Sequence, residues 1–346
     1  MKRNNANKKY YALALLICLV LLVSACKSKS GASTGGAPST PFIRGTTGIT
    51  INFEKDSPPP EVTDDETFGF RAILRLKNDG EFTVDKDEMK INLVGFDPED
   101  FGATNHDIKD QEPEDDLLAK VRDAEGNIIE GTTTFASFPI GDFEFTPQKF
   151  SGNTEFTFRA EVCYNYQTKA NAKLCILKDL INIVEDNLCD ASESKPIYSS
   201  SAPVQVVNFR ETVVGKDKIS FSFDISLSGN ADIFRDRIDT TPASNFDSAC
   251  PKDPRKRREV ESNVKVTVTP IPPSDPVITN IKCGGLDSSN VGLVRLVNNR
   301  RTITCTADLN ADRLDLEKVI EVLLQYNVLD IRETRVIVKH LQRDDE

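Results

Sequence analysis

The chain reads as all-β: two tandem β-sandwich domains behind an export signal and a flexible tether. Three observations predict this. Apolar residues recur with period two in one segment after another, turn-forming residues separate those segments, and a helical stripe is confined to a single stretch.

At the N-terminus, Lys2, Arg3, Lys8 and Lys9 make a basic n-region, Tyr10 to Val23 is an apolar run, and Val23-Ser24-Ala25-Cys26 follows at once. This is the layout of a secretory signal. A peptidase that cuts before a lipid-modified cysteine needs small residues at the two preceding positions. Ser24 and Ala25 supply them, and Val23 fills an apolar subsite. Over these residues the pattern resembles the lipobox of prokaryotic lipoproteins. A permanent span wants about 20 apolar residues, more than the run provides, and an ordinary cleaved signal leaves the position of Cys26 to coincidence. The expectation is a signal peptide over 1–25 and lipid attachment at Cys26. Two or more acyl chains hold a protein stably, so the protein is placed at the cell membrane, on the extracytoplasmic face.

Removing residues 1–25 takes four of the 43 basic side chains and none of the 54 acidic ones, which leaves the mature chain at −15. Such a surface repels nucleic acid. Residues 26–45 are the expected lipid-anchored tether. From 27 to 41 nothing apolar is larger than alanine or proline, a flexible composition that reaches at most roughly 50 Å.

The first sandwich is expected over 46–200. Phe68, Phe70, Ala72, Leu74 and Leu76 share one parity, as do Phe156, Phe158, Ala160, Val162, Tyr164 and Tyr166, the mark of half-buried strands. Ile91 to Phe96 and Thr132 to Ile140 are shorter candidates. Asn78-Asp79-Gly80 reads as a hairpin turn, because these residues tolerate positive φ. An acidic insertion occupies 97–130. The single helical stripe runs from Lys173 to Leu188 through Leu177, Leu180, Ile181, Val184 and Leu188.

The second sandwich is expected over 201–346, joined at Ser199 to Pro203 and carrying an insertion at 229–259. Ile219, Phe221, Phe223, Ile225 and Leu227 alternate with Ser220, Ser222, Asp224, Ser226 and Ser228, and Val264, Val266 and Val268 repeat the style. Val291 to Val297, a turn at Asn298-Asn299-Arg300 and Arg301 to Ala307 read as a hairpin. Val319 to Tyr326 and Arg332 to Leu341 close the chain as two further segments.

With Cys18 in the signal and Cys26 carrying the lipid, six cysteines remain in the mature chain, an even number that fits an oxidising compartment. Strand parity sets Cys163 and Cys175 on an outer face as a cross-strand bridge and points Cys283 and Cys305 into a core. Cys189 and Cys250 are then left to pair with each other, although six cysteines permit 15 connectivities.

Cys163-Tyr164-Asn165-Tyr166, Lys173-Leu174-Cys175, Ala202-Pro203-Val204, Ile281-Lys282-Cys283 and Thr304-Cys305-Thr306 together resemble the uncharacterised tandem β-sandwich surface proteins of small-genome archaea. The resemblance spans most of 46–340 through short motifs. It implies secreted, membrane-attached, immunoglobulin-like modules and brings no catalytic residues. The lack of tryptophan departs from antibody domains, whose core tryptophan packs on the disulfide.

Reactive constellations are sparse. The two histidines, His106 and His340, lie far apart in sequence. No His or Cys pair stands at zinc-ligand spacing, and no Asn precedes x-Ser/Thr. Asp97, Glu99, Asp100 and Asp107 head an acidic run able to gather Ca²⁺, which takes six to eight oxygens, although such runs are more often a solvated insertion. Asp308 to Asp312 copies the start of an EF-hand loop, but Arg313 replaces the required glycine. Arg255-Lys256-Arg257-Arg258, in a proline-flanked loop, is the one concentrated basic patch, suited to an anionic partner. No cofactor is called for. The function expected is that of a non-enzymatic lipid-anchored surface protein, structural or adhesive, contacting other surface proteins or glycans. A ligand- or glycan-capturing lipoprotein serving a transporter is the alternative.

Overall fold

The computed structural model describes residues 40–65, 68–182, 187–236, 245–287 and 289–341. The expected signal, Cys26 and most of the tether lie outside them. In the first half run β1 (Ile49–Phe53), β2 (Glu61–Thr63), β3 (Ala72–Asn78), β4 (Met89–Val94), β5 (Val121–Arg122), β6 (Ile128–Ile129), β7 (Thr133–Phe138) and β8 (Thr154–Ile176). The second half adds β9 (Ile197–Ser199), β10 (Val204–Gly215), β11 (Lys218–Leu227) and β12 (Asp232–Arg235). After short helices α1 (Phe246–Ala249) and α2 (Pro254–Val260) come β13 (Asn263–Ile271), β14 (Ile278–Cys283), β15 (Val291–Arg295), β16 (Arg300–Leu309) and β17 (Leu316–Lys339). The protein is all-β, and the alternation read from sequence appears as burial: Ala72, Leu74 and Leu76 are buried in β3, as are Ile219, Phe221, Phe223 and Ile225 in β11.

Three sheets carry the architecture. The largest runs β15-β13-β17-β8-β4, with β2 and β12 also on β17 and β9 on β8. Smaller sheets, β1-β3-β7 and β10-β11-β16-β14, make up the rest with the β5-β6 ribbon. The chain uses one five-strand order twice. β1 and β3 pair in a small sheet, β4 joins the large one, β7 returns beside β3, and β8 pairs β4. β10, β11, β13, β16 and β17 repeat each step. Even the Tyr-Asn pair at 164–165 recurs at 326–327.

The two units do not separate at 200/201, and that boundary is corrected here. Residues 39–346 form one unit, because β8 and β17 pair antiparallel from Leu316↔Ile176 to Val338↔Thr154. The far end of each long strand serves the other unit: the Cys175 N–H donates to Glu211 on β10, and Arg332 Nε donates to the Ile51 carbonyl on β1. Ser199 to Pro203, expected as a linker, is buried at this crossing. There Tyr166 Oη reaches the Ser201 carbonyl at 3.3 Å, and Tyr326 Oη meets Thr168 Oγ1 at 2.9 Å. On the opposite face Asn165 Nδ2 donates to Asn327 Oδ1.

Other expectations change for local reasons. Asn78 to Gly80 turns the chain between sheets: Asn78 Oδ1 accepts the Gly80 N–H while its Nδ2 donates to Phe82 and Leu117 carbonyls. A Cβ on Gly80 would sit 1.8 Å from the Tyr166 hydroxyl. The turn at Asn298 and Asn299, φ 51° and 61°, forms as expected and is closed by the antiparallel Val297–Arg300 pair, but the strands then part, β15 into the large sheet and β16 into a smaller one. Val319 to Leu341 is largely one strand. Among the described residues the helical stripe is not formed: β8 continues to Ile176 and 177–182 is irregular, while 183–186, with Val184, lies outside them.

The first unit packs around rings: Phe158 lies 4.1 Å from Phe96 and 5.3 Å from Phe101, with Phe70 and Phe145 beside it. The disulfides are Cys163–Cys250, Cys175–Cys189 and Cys283–Cys305. Only the last matches expectation, and it joins neighbouring strands of one sheet. Cys163 and Cys175 share β8, where 12 residues at about 3.3 Å each put them roughly 40 Å apart.

Candidate functional site

The structure disperses the calcium candidates. Asp97 caps a short 3₁₀ turn by accepting the Glu99 N–H, Asp107 accepts from Thr104 N and Oγ1 at 2.7 Å, Glu99 is exposed and Asp100 half-buried. Among the described residues no group of three or more His, Cys, Asp or Glu is placed to share a metal ion. The acidic insertion works through its backbone instead: Ile91 and Gln111 exchange N–H···O bonds, and Leu93 N–H donates to Ile108, closing the edge of β4.

Arg255 to Arg258 lie on helix α2 rather than in an irregular loop, because Pro254 stands at its first turn and Asp253 accepts the N–H groups of Arg255 and Lys256. The four residues are not equivalent. Arg257 pairs with Asp232 at 2.8 Å and Glu261 at 3.1 Å and lies 5.2 Å over the Phe234 ring. Arg255, Lys256 and Arg258 are exposed. This insertion is pinned to the large sheet by Cys163–Cys250, within a satellite core of Phe234, Phe246, Ala249 and Leu329.

His340 is drawn to Asp64 at 2.7 Å, where Asp64 also accepts the N–H groups of Phe150 and Leu341. Burial alone raises the Asp64 carboxyl, but these donors hold it down at about 2. The pair clasps the end of β17 to the first unit.

A cleft of ≈ 970 Å³ opens in the second unit, lined by Arg44, Lys195, Arg210 and Asp224 among hydroxyl and amide side chains. Residues 194–199 form one wall and β10 with β11 the other, while Arg44 to Thr46 close one end. β10 bulges between Val207 and Arg210, which puts Asn208 at φ 57°; bulges re-aim side chains in this way. Asn208 Nδ2 donates to Asp224 Oδ2 at 2.8 Å, and Arg300 and Thr302 donate to the same carboxylate. Burial pushes the Asp224 carboxyl up, yet the three donors outweigh it and hold it below the usual carboxylate range.

Arg44 also sits in the left-handed region, at φ 76°, a conformation that costs a non-glycine residue about 1–3 kcal/mol. Its surroundings impose it. Glu81 accepts the N–H groups of Ile43, Arg44 and Ser201, and the guanidinium lies 5.3 Å from the Tyr198 ring centre. Behind the wall, Glu211 takes the Cys175 N–H on both oxygens, with Lys195 Nζ at 3.5 Å. Burial drives its carboxyl up to about 7, against the pull of the Cys175 bond and Lys195. Lys195 is itself engaged by Asp190 and Glu193.

No family model matches the chain, and no curated protein is similar to it.

Charge in the cleft is thus divided. Asp224, Glu211 and Lys195 are held by neighbours, whereas Arg44 and Arg210 are exposed and carry no ion pair among the described residues. Arginine stays protonated and offers only donors, so the cleft presents fixed positive charge. Sequence reading missed this site because the bulge breaks the period-two pattern of β10. The available signal was the phase shift itself, from Val204 and Val206 to Phe209 and Val213.

Proposed function

We propose that the protein is a lipid-anchored surface protein, fastened through Cys26 on the extracytoplasmic face of the cell membrane, that works by binding rather than by catalysis. The observation carrying this reading is that all six cysteines among the described residues are paired in three bridges, the chemistry of an oxidising compartment, behind a lipobox-like sequence. Two copies of one strand order sharing the β8–β17 ladder support a scaffold role, since rigid sheets position loops and clefts for recognition. Labelling cells with an alkyne fatty acid is expected to mark the wild-type chain and leave Cys26→Ala unmarked, with the wild type digested by protease added to intact cells. An unlabelled wild type, or one retaining residues 1–25, overturns the reading.

A further inference from the structure

The cleft walled by Arg44, Ser194, Asn208, Arg210 and Ser222 has the composition of a binding site, and its ligand class follows from its chemistry. We propose that it binds an acidic saccharide, a polymer bearing carboxylates among many hydroxyls. This rests on the extracytoplasmic placement above, which is where such polymers are met.

Four features of the cleft bear on the proposal. Its free charges are two guanidiniums, Arg44 and Arg210, in a chain whose overall charge is −11. A guanidinium binds a carboxylate through paired, charge-assisted hydrogen bonds. Every other charged side chain lining the cleft is already satisfied: Asp224 by Arg300, Thr302 and Asn208, and Lys195 by Asp190, Glu193 and Glu211. An anion entering the cleft therefore meets net positive charge without a competing free carboxylate.

The second feature is strain. Arg44 and Asn208, two non-glycine residues with positive φ, both line this cleft, and such conformations persist where surrounding bonds impose them. Glu81 and Tyr198 impose the first, Asp224 the second. The arginine is thus set in place before any ligand arrives, which reduces the ordering cost of binding.

Thirdly, ≈ 970 Å³ is at the upper end of small-ligand pockets, about 300–1,000 Å³, and suits a short run of sugars better than a lone ion. Finally, Ser194, Ser222, Asn208 and Thr302 add hydroxyl and amide groups along the walls, the partners that sugar hydroxyls require. A flat bilayer does not offer that complementarity, although Arg44 lies at the end of the expected tether.

The test uses residues 27–346, which hold the whole compact unit and carry no acyl chain, in detergent-free buffer, with three probes: fluorescent polygalacturonate, neutral dextran, and vesicles of phosphatidylglycerol. Polygalacturonate is expected to bind and dextran and vesicles to fail. Arg44→Gln with Arg210→Gln should weaken the polygalacturonate Kd by at least about tenfold, with an unchanged circular-dichroism melt. A triple change of Arg255, Lys256 and Arg258 to Gln, which removes more charge elsewhere, should leave Kd within about twofold. Absence of polygalacturonate binding overturns the proposal. So does equal weakening by both variants, which means diffuse charge attraction, and so does binding of vesicles in preference to saccharide. These outcomes concern the cleft alone, whereas missing acyl label on wild-type cells overturns the anchoring.

Discussion

In the first five-strand unit the edge of β4 is closed by residues 108–111 and the edge of β7 by Glu114, whose N–H donates to the Phe135 carbonyl. In the second, residues 193–195 cover the edge of β10 through Lys195 N–H to Phe209 and Glu211 N–H to Glu193, but the segment then lifts away and leaves a charged cleft. The cores differ as well. Interlocked phenyl rings fill the first, while the second packs a stacked Phe209–Phe221 pair and Phe223 among aliphatic side chains and is braced by two disulfides, Cys175–Cys189 and Cys283–Cys305. One strand order therefore serves two ends, dense packing on one side and a presented polar surface on the other, and the shared β8–β17 ladder lets the first stabilise the second.

The largest expected effect breaks the packed side. Phe158→Ala removes the ring that touches Phe70, Phe96, Phe101 and Phe145 and should cost about 3–5 kcal/mol by urea titration. Because β8 belongs to both units, fluorescence and circular-dichroism transitions should shift together; a shift confined to one phase would mean that the units unfold separately.

Next come two carboxyls whose pH signatures have opposite sign. Asp64 is held at about 2 against an ordinary 3.8, so its stabilisation is complete above 3.8 and fades as pH falls through 2. Asp64→Asn should lose about 1.5–3 kcal/mol near neutrality and show a flatter acid limb than wild type. Glu211 is raised to about 7 from 4.5. The folded state then holds the extra proton, so its contribution is full below 4.5 and declines as pH rises through 7. Between pH 5 and pH 8 the wild-type Tm should drop by about 2–4 °C more than that of Glu211→Gln; parallel curves would show that Glu211 is ionised throughout.

The smallest effect separates the residues of α2. Arg257→Ser should cost about 1 kcal/mol through its carboxylate partners and Phe234, whereas serine at 255, 256 and 258 should stay within about 0.5 kcal/mol. Equal losses would mean that all four side chains are structural.

Much of the fold was legible because burial on one face writes period two into the chain, as in Ile219 to Leu227. What the pattern could not show was length and partner. β8 and β17 each run past 20 residues, and the end of β8 from Lys173 read as the start of a helical stripe. Pairing between distant strands leaves no local mark, so the Cys163–Cys250 bridge and the burial of Ser199 to Pro203 were invisible. The cleft was hidden for a related reason: Arg44 comes from the end of the expected tether, Arg210 from a bulged strand, and only the tertiary fold brings them to one cavity.

Two interleaved units braced by three disulfides, and the oxidising compartment proposed for them, meet in one measurement, disulfide mapping of the native protein. Non-reducing digestion of chain isolated from the cell envelope should yield peptides joining Cys163 to Cys250, Cys175 to Cys189 and Cys283 to Cys305. Six free thiols, or a peptide joining Cys163 to Cys175, would contradict this arrangement.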